Sequence, residues 1–298
     1  MTILTILTPV YNRKARIKDL FKSLTRQTNN DFQWLVIDDG SNDGTSSWFA
    51  DLSLEKEKFH VDYYYKENGG KHTALNFSHP YIKGKYVVVV DSDDILIPTA
   101  VDEIIKYWNK YQNKSLRIGS IIFQKGDRKN GKAFDKTIHG EYVTTISKEI
   151  NRGIEGDHCE TFRSELFKSH QFPVYKGERF AAEGAMWYKI TQGWNVMYVD
   201  KVIYLAEYLK GGLTLSGREL RIKNPQGSRW HAKVFLQPNF NLKIRFKNAL
   251  LFDTYSRFIN ERLSKVISNF ETRSRGLLIL CWLPSLIIYK YWKFKYEN

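Results

Sequence analysis

Over the first 110 residues, apolar and polar positions change places in a regular rhythm. Residues 3–8 (ILTILT) are a short apolar run and read as a buried strand. Ile17, Leu20, Phe21 and Leu24 then recur at helical spacing and share one face. "QWLVIDDGSNDGT" is a strand over residues 33–37 that runs into a turn rich in Asp, Gly, Ser and Asn. "FHVDYYYKENGG" is a third strand ending in Gly69-Gly70, and "KHTALNF" opens a helix. The valine run at residues 85–90 is a fourth strand; Pro98 suits the first turn of a helix whose Val101, Ile104, Ile105 and Trp108 face inward.

Four strand–helix alternations predict an α/β fold with a mainly parallel central sheet flanked by helices. Ligands of such sheets bind beyond the carboxyl ends of the strands. The polar signals sit there, at residues 8–12, 38–41, 68–71 and 91–94. After residue 115 the rhythm weakens. "SIIFQ" reads as a strand, "KNGKAFDKTIHG" as a hairpin turning at Asn130-Gly131, and a helix starts near Ala182. Residues 243–270 are expected to form one long helix.

Composition is that of a globular chain, 42% hydrophobic and 26% charged, with aromatics at 15%. The two cysteines, Cys159 and Cys281, form no CxxC pair or disulfide framework, which points to a reducing compartment. "MTILTILTPVYN" lacks a basic n-region and reads as a first strand, not a signal peptide. Charge is unevenly placed: of the net +14, residues 210–298 carry +12, from 17 Lys/Arg against 5 Asp/Glu.

"VDSDD" ends the most apolar strand in three carboxylates. Asp91 and Asp93 there put hard oxygen ligands at one point, suited to Mg²⁺ or Mn²⁺, which take one or two carboxylates plus substrate phosphate oxygens. Neither G-x-G-x-x-G after the first strand nor G-x-x-x-x-G-K-[ST] is present, which disfavours dinucleotide and P-loop chemistry.

"TPVYNR", "QWLVIDDGSNDGT", "NGGKHTALN" and "VDSDD", in this order and spacing, resemble the nucleotide-sugar domain of family 2 inverting glycosyltransferases of the bacterial envelope-polysaccharide type. The resemblance implies a GT-A (Rossmann-like) catalytic domain over 1–215, with a donor half 1–110 and an acceptor half 111–215. Beyond it lies a helical, basic region at 216–298. At matching positions it implies that Thr8, Pro9 and Tyr11 shape the uridine pocket and that Asp39 accepts the uracil imide hydrogen bond. Lys71 would neutralise the diphosphate or touch the base edge, Asp91 would face the ribose or sugar, Gly70 and Ser92 would line the donor-nucleotide site, and Asp93 would ligate the metal of a DXD-type motif.

An inverting transfer needs a carboxylate to take the acceptor's proton. In "GERFAAEGAMWYKI", Glu183 shares an apolar helical face with Met186, Trp187 and Ile190. It is either a charge complementing the helix dipole or the base. Many members of the family read Glu-Asp at this point, with the Asp as base; this chain reads Glu183-Gly184. Asp157, His158 and Trp187 are candidates for acceptor contacts, and the glycine-rich residues 208–217 for a loop closing over the donor.

"GLLILCWLPSLIIY" is apolar for about 14 residues, short of the ~20 a spanning helix needs, and is interrupted by Pro284. Basic and aromatic flanks make it an interfacial segment for an anionic membrane surface. It is too aliphatic to track nucleic acid. That placement, peripheral on the cytoplasmic face of the cell membrane, suits a glycan or polyprenyl-diphosphate-linked acceptor and a UDP-sugar donor. Two other readings stay open: a catalytically degenerate subunit of a polysaccharide assembly complex, and a metal-dependent nucleotidyl or phosphoryl transferase.

Overall fold

The structure, a computed structural model, describes residues 2–52, 58–112, 114–154, 156–207, 213–268, 270 and 272–297. Its strands are β1 (Leu4–Val10), β2 (Phe32–Asp38), β3 (His60–Tyr65), β4 (Tyr86–Val89), β5 (Ile95–Leu96), β6 (Ile118–Asp127), β7 (Glu141–Thr144), β8 (His158–Arg163) and β9 (Asn195–Ala206). They form a nine-stranded sheet in the order β3-β2-β1-β4-β8-β6-β9-β5, with β7 also on β9.

Every residue of β1 and β2 is buried, as befits central strands covered on both faces. The half made by β3, β2, β1 and β4 is parallel throughout. In the other half β8 runs antiparallel to β4 and β6, while β6 and β9 are parallel. Parallel neighbours put their carboxyl ends on one edge, so the turns after β1, β2, β3 and β4 gather there.

The first helices in chain order are α1 (Lys14–Leu24), α2 (Thr45–Asp51), α3 (Lys71–Phe77), α4 (Ala100–Tyr111) and α5 (Ile146–Arg152). The periodicity located their inner faces well. Ile17, Leu20 and Leu24 are buried on α1, and Val101, Ile104, Ile105 and Trp108 on α4. Phe21 is only half-buried, but its ring stacks on Trp34 at 5.7 Å. β6 extends well beyond SIIFQ, and the expected turn follows it, with Gly131 left-handed (φ 71°) and its N–H donating to Asp127 O at 2.8 Å.

The remaining helices are α6 (Ser164–Lys168), α7 (Glu183–Ile190), α8 (Leu213–Lys223), α9 (Pro225–Val234), α10 (Leu242–Phe258), α11 (Leu263–Ser268) and α12 (Thr272–Glu297). The chain divides into two compact units. The first holds the sheet; the second comprises Ile150–Gly153, Phe172–Lys189 and Tyr208–Asn298. Glu183 and Trp187 therefore belong to the second unit, which is not confined to residues beyond 215. Its core packs Ala232, Leu236, Ala249, Phe252, Val266, Leu278 and Cys281.

Two helical expectations need correction. The single helix over 243–270 breaks after α10, because Asn260 takes a left-handed conformation (φ 56°), the usual way for a non-glycine residue to end a helix. The C-terminal apolar run is not cut at Pro284 but continues as one helix, and over Ser274–Tyr296 it is long and apolar enough to cross a membrane. Arg257 of α10 bridges the proline: its guanidinium lies 4.0 Å from the Trp282 ring, Nε donates to Ser285 Oγ at 3.0 Å, and Nη2 donates to Trp282 O. These contacts hold residues on both sides of the position where a helical N–H is missing.

Asp253 of α10 is fully buried, and among the described residues neither carboxylate oxygen has a hydrogen-bond partner. Burial pushes its carboxyl up to about 8, against the opposing pull of Arg257 and Arg229. A carboxyl raised on folding binds its proton more tightly in the folded state. Stability therefore falls as pH rises from near the unfolded value of about 3.9 to about 8, by at most about 1.4 kcal/mol per unit. Asp253→Asn should raise Tm at pH 8 and leave it little changed at pH 4. Equal shifts in melting scans at both pH values would refute this account of the buried carboxyl.

Candidate active site

Thr8 and Pro9 are interior residues of β1; Thr8 Oγ1 accepts a hydrogen bond from Trp34 Nε1 at 3.0 Å, so it braces the sheet. Tyr11, just past the strand, is 46% exposed and presents its ring at the carboxyl edge. Asn12 takes a left-handed turn (φ 50°) and links to the loop after β2: its N–H donates to Ser41 Oγ at 2.9 Å, and its Oδ1 accepts from Asn42 N at 2.8 Å.

Asp39 is only 2% exposed and its carboxylate is crowded. Oδ1 accepts from Lys66 Nζ at 2.5 Å and Gly69 N at 3.0 Å; Oδ2 accepts from Asn68 Nδ2 at 3.2 Å and Gly70 N at 2.7 Å. A carboxylate has about four acceptor positions, so Asp39 is saturated by its own chain. It is a post that holds the 66–70 loop against the end of β2. The loop comes so close that a Cβ on Gly40 (φ +85°) would lie 2.7 Å from Asn68 N. Gly70, also at positive φ (95°), lets its N–H turn onto Asp39.

The loop delivers Lys71, the first residue of α3, onto Asp91 as an ion pair. Asp91 has a second cation nearby. Burial would raise its carboxyl, but Lys71 and Lys125 hold it below the usual carboxylate range. Lys125 is a mostly buried lysine of β6. Its Nζ lies 2.9 Å from Asp157 Oδ1 and 4.4 Å from the Tyr204 ring centroid. Burial alone would lower its ammonium, but Asp157 and Asp91 outweigh that and keep it charged.

The next acids behave differently. Asp93 is raised above the ordinary carboxylate value, by burial first and then by the charge of Asp91. Asp94 is pushed up to about 7 by the same two causes, and accepts a hydrogen bond from Tyr204 O–H at 2.8 Å. The same hydroxyl accepts from Asp91 N at 3.0 Å, which ties the 91–94 turn to β9; Ser92 is buried within that turn.

Of the acceptor-side candidates, Asp157 joins this cluster through Lys125. His158 does not join it. It is 5% exposed, with Nε2 at 2.9 Å from Asp135 Oδ2, and burial lowers its imidazole. Trp187 is buried in the second unit, edge-on to Phe172 at 6.0 Å. Glu183 opens α7 in that unit and is part-exposed. Of the glycine-rich stretch 208–217, residues 208–212 lie outside the described residues, and α8 begins at Leu213.

Lys125, Tyr204 and Lys66 were not singled out from the sequence. Lys125 did leave a trace: it is a cation directly after the apolar strand SIIFQ. The other two are ordinary strand and loop residues whose partners lie far off in the chain.

A mainly parallel half-sheet whose strand ends gather carboxylates and lysines, extended by a mixed half, is the GT-A architecture of nucleotide-sugar enzymes. The chain belongs to glycosyl transferase family 2, whose model matches residues 5–170. It is 33% identical over 154 residues to TuaG of Bacillus subtilis, provisionally named a teichuronic acid biosynthesis glycosyltransferase, covering 52% of this chain and 59% of that one. Five rickettsial glycosyltransferases match at 31–33% identity, but the chain spans only 16–34% of their length. Among solved structures, S. aureus TarS 1–349 in complex with UDP-GlcNAc aligns over 94% of this chain and 79% of its own, with TM-score 0.62 and 17% identity. The mannosyltransferase PcManGT of Pyrobaculum calidifontis, in complex with GDP-Man and Mn²⁺, aligns over 98% and 83%, with TM-score 0.58 and 18% identity. At these identities the structural likeness is one of fold.

Proposed function

We propose that the chain transfers a sugar, with inversion, from a UDP-sugar to a glycan or polyprenyl-diphosphate-linked acceptor. Asp93 would hold Mn²⁺ or Mg²⁺, and Glu183 would act as general base. The observation that carries the reading is the meeting, at the carboxyl edge of the parallel strands, of the acidic 91–94 turn with Lys71, which is ion-paired to Asp91. Carboxylates beside a lysine that attracts phosphate suit a cation arriving with a diphosphate.

The donor set fits such an ion. Among the described residues no three His, Cys, Asp or Glu side chains gather. The protein therefore offers one or two carboxylates and leaves the other positions to phosphate oxygens and water, the usual bargain for Mg²⁺. When bound, the metal supplies Lewis-acid stabilisation of the departing diphosphate. Lys71 contributes positive charge to the same diphosphate, exchanging part of its pairing with Asp91. Tyr11 offers an exposed ring for the base to stack on. Asp39 fixes the backbone of residues 68–70, and direct acceptance of the uracil imide proton requires Lys66 or Asn68 to yield one of its four positions. Thr8, Pro9, Gly70 and Ser92 shape the donor pocket's backbone.

In the transfer the acceptor oxygen bonds to the anomeric carbon as the bond to the diphosphate oxygen breaks. UDP leaves with that electron pair, and Glu183 takes the hydroxyl proton. Asp157, His158 and Trp187 are proposed acceptor contacts, with the His158 ring oriented by Asp135. The basic, partly apolar helices after residue 213 support work at an anionic membrane surface, taken here as the cytoplasmic side.

Calorimetric titration with UDP, GDP and CDP, each with Mn²⁺ and with chelator, tests the donor site. UDP should bind only with metal, and Asp93→Ala should abolish that binding with no loss of Tm, since it removes a repelled carboxylate. Absence of metal-dependent binding by any of the three diphosphates would defeat the catalytic reading.

A further inference from the structure

The second unit carries a groove of about 380 Å³ walled by α8, α10 and α12. Its cations are Arg218, Lys243 and Lys247, and among the described residues no acidic side chain lines it. Its floor is apolar: Phe246, Leu250 and Leu251 of α10 and Ile288 of α12. The arginine is held in position. Its guanidinium lies 4.2 Å from the Trp292 ring, and Nη1 donates to Tyr255 Oη at 3.2 Å.

Beside the groove, α12 shows two unlike faces. Leu278, Cys281, Ser285 and Trp292 are buried. Leu280, Leu283, Ile287, Tyr291 and Phe294 form a stripe at helical spacing, with Leu283, Ile287 and Phe294 each more than 70% exposed. A helix apolar on both faces, with one packed on protein, leaves the other for a non-aqueous neighbour. Ile287 of the stripe adjoins Ile288 of the groove, and α10 adds exposed Leu242 and Phe246 next to Lys243 and Lys247.

We propose that this groove binds an anionic membrane lipid: its phosphate between Arg218, Lys243 and Lys247, and the first part of its hydrocarbon along Phe246, Leu250, Leu251 and Ile288. α12 would then lie in the bilayer surface with the 280–294 stripe among the acyl chains. The inference rests on the membrane-surface part of the proposed function and gives it a defined site. Three cations over an apolar floor match an anion covalently joined to hydrocarbon. A nucleic acid would leave the floor and the stripe uncovered. A second copy of this chain would bring its own net charge of +14 to a cationic surface.

The test is co-sedimentation of the full chain with vesicles of neutral phosphatidylcholine, with and without phosphatidylglycerol, alongside titration with inorganic phosphate. Wild type should bind the anionic vesicles and not the neutral ones. Lys243→Gln/Lys247→Gln should weaken that binding roughly 10-fold or more, as expected for two lysines at an anionic surface, with Tm and UDP binding unchanged. Lys22→Gln/Lys132→Gln, at exposed positions in the first unit, should bind as wild type. Equal losses in both double variants would mean diffuse attraction and overturn the site. So would equal binding to neutral vesicles, saturation by inorganic phosphate alone, or concentration-dependent dimerisation without vesicle binding. Because UDP calorimetry is read on the same variants, failure of the groove and failure of the transferase reading give different results.

Discussion

Glu183→Gln should lower kcat by about 10²- to 10⁴-fold, the range in which a positioned general base contributes, while UDP affinity and KM for the donor stay near wild type. The substitution keeps size and hydrogen bonding and removes only the capacity to take a proton. It also removes an acid from the first turn of α7, where a negative charge complements the helix dipole by about 0.3–1 kcal/mol. Those two roles separate cleanly. A dipole role alone lowers Tm slightly and leaves kcat intact, and that result would send the search for the base elsewhere. Gly184 gives a second handle. It is exposed, and a Cβ there would meet nothing within 4 Å, so Gly184→Asp fits without repacking. Recovery of turnover when Gly184→Asp is added to Glu183→Gln would show that the acceptor's proton can be taken one residue further along the helix.

Asp39→Ala should be the most damaging single change in the donor half. It strips the partner from four donors at once, among them the Lys66 ammonium and the Gly69 and Gly70 amides, in a site almost closed to water. Removing one side of such a buried charged cluster costs about 3–5 kcal/mol. For a chain of this size, Tm should fall by roughly 2–4 °C per kcal/mol. The loop that delivers Lys71 should loosen with it, so UDP affinity should fall more than in Lys71→Ala. A wild-type melting curve for Asp39→Ala, with weakened UDP binding, would instead make Asp39 a direct ligand of the base and no post at all.

The strand–helix alternation, the inner faces of α1 and α4 and the four polar strand ends were legible because each depends on near neighbours. Two- and 3.6-residue periods, and turn residues that break them, are written within stretches of about ten residues. The same locality misled at the C-terminus. Pro284 and a 14-residue apolar run argue for an interrupted segment, yet Arg257, 25 and 28 positions away from its partners Trp282 and Ser285, holds one helix through the proline. Locality also hid the end of α10, where Asn260 leaves the helical region without glycine.

The different surroundings of the four carboxylates come only from tertiary contacts. Asp39, Asp91, Asp93 and Asp94 are chemically alike in the sequence. Asp39 is saturated by groups about 30 residues onward, Asp91 is neutralised from α3 and β6, Asp94 is bound to a tyrosine 110 residues away, and Asp93 is raised by burial and by the charge of Asp91. The ordered motifs thus identify the family, since residue type and short spacing suffice for that. The assignment of each acid, the buried Lys125 and the two faces of α12 required the fold, because burial and charge neutralisation depend on what long-range packing brings within a few ångströms.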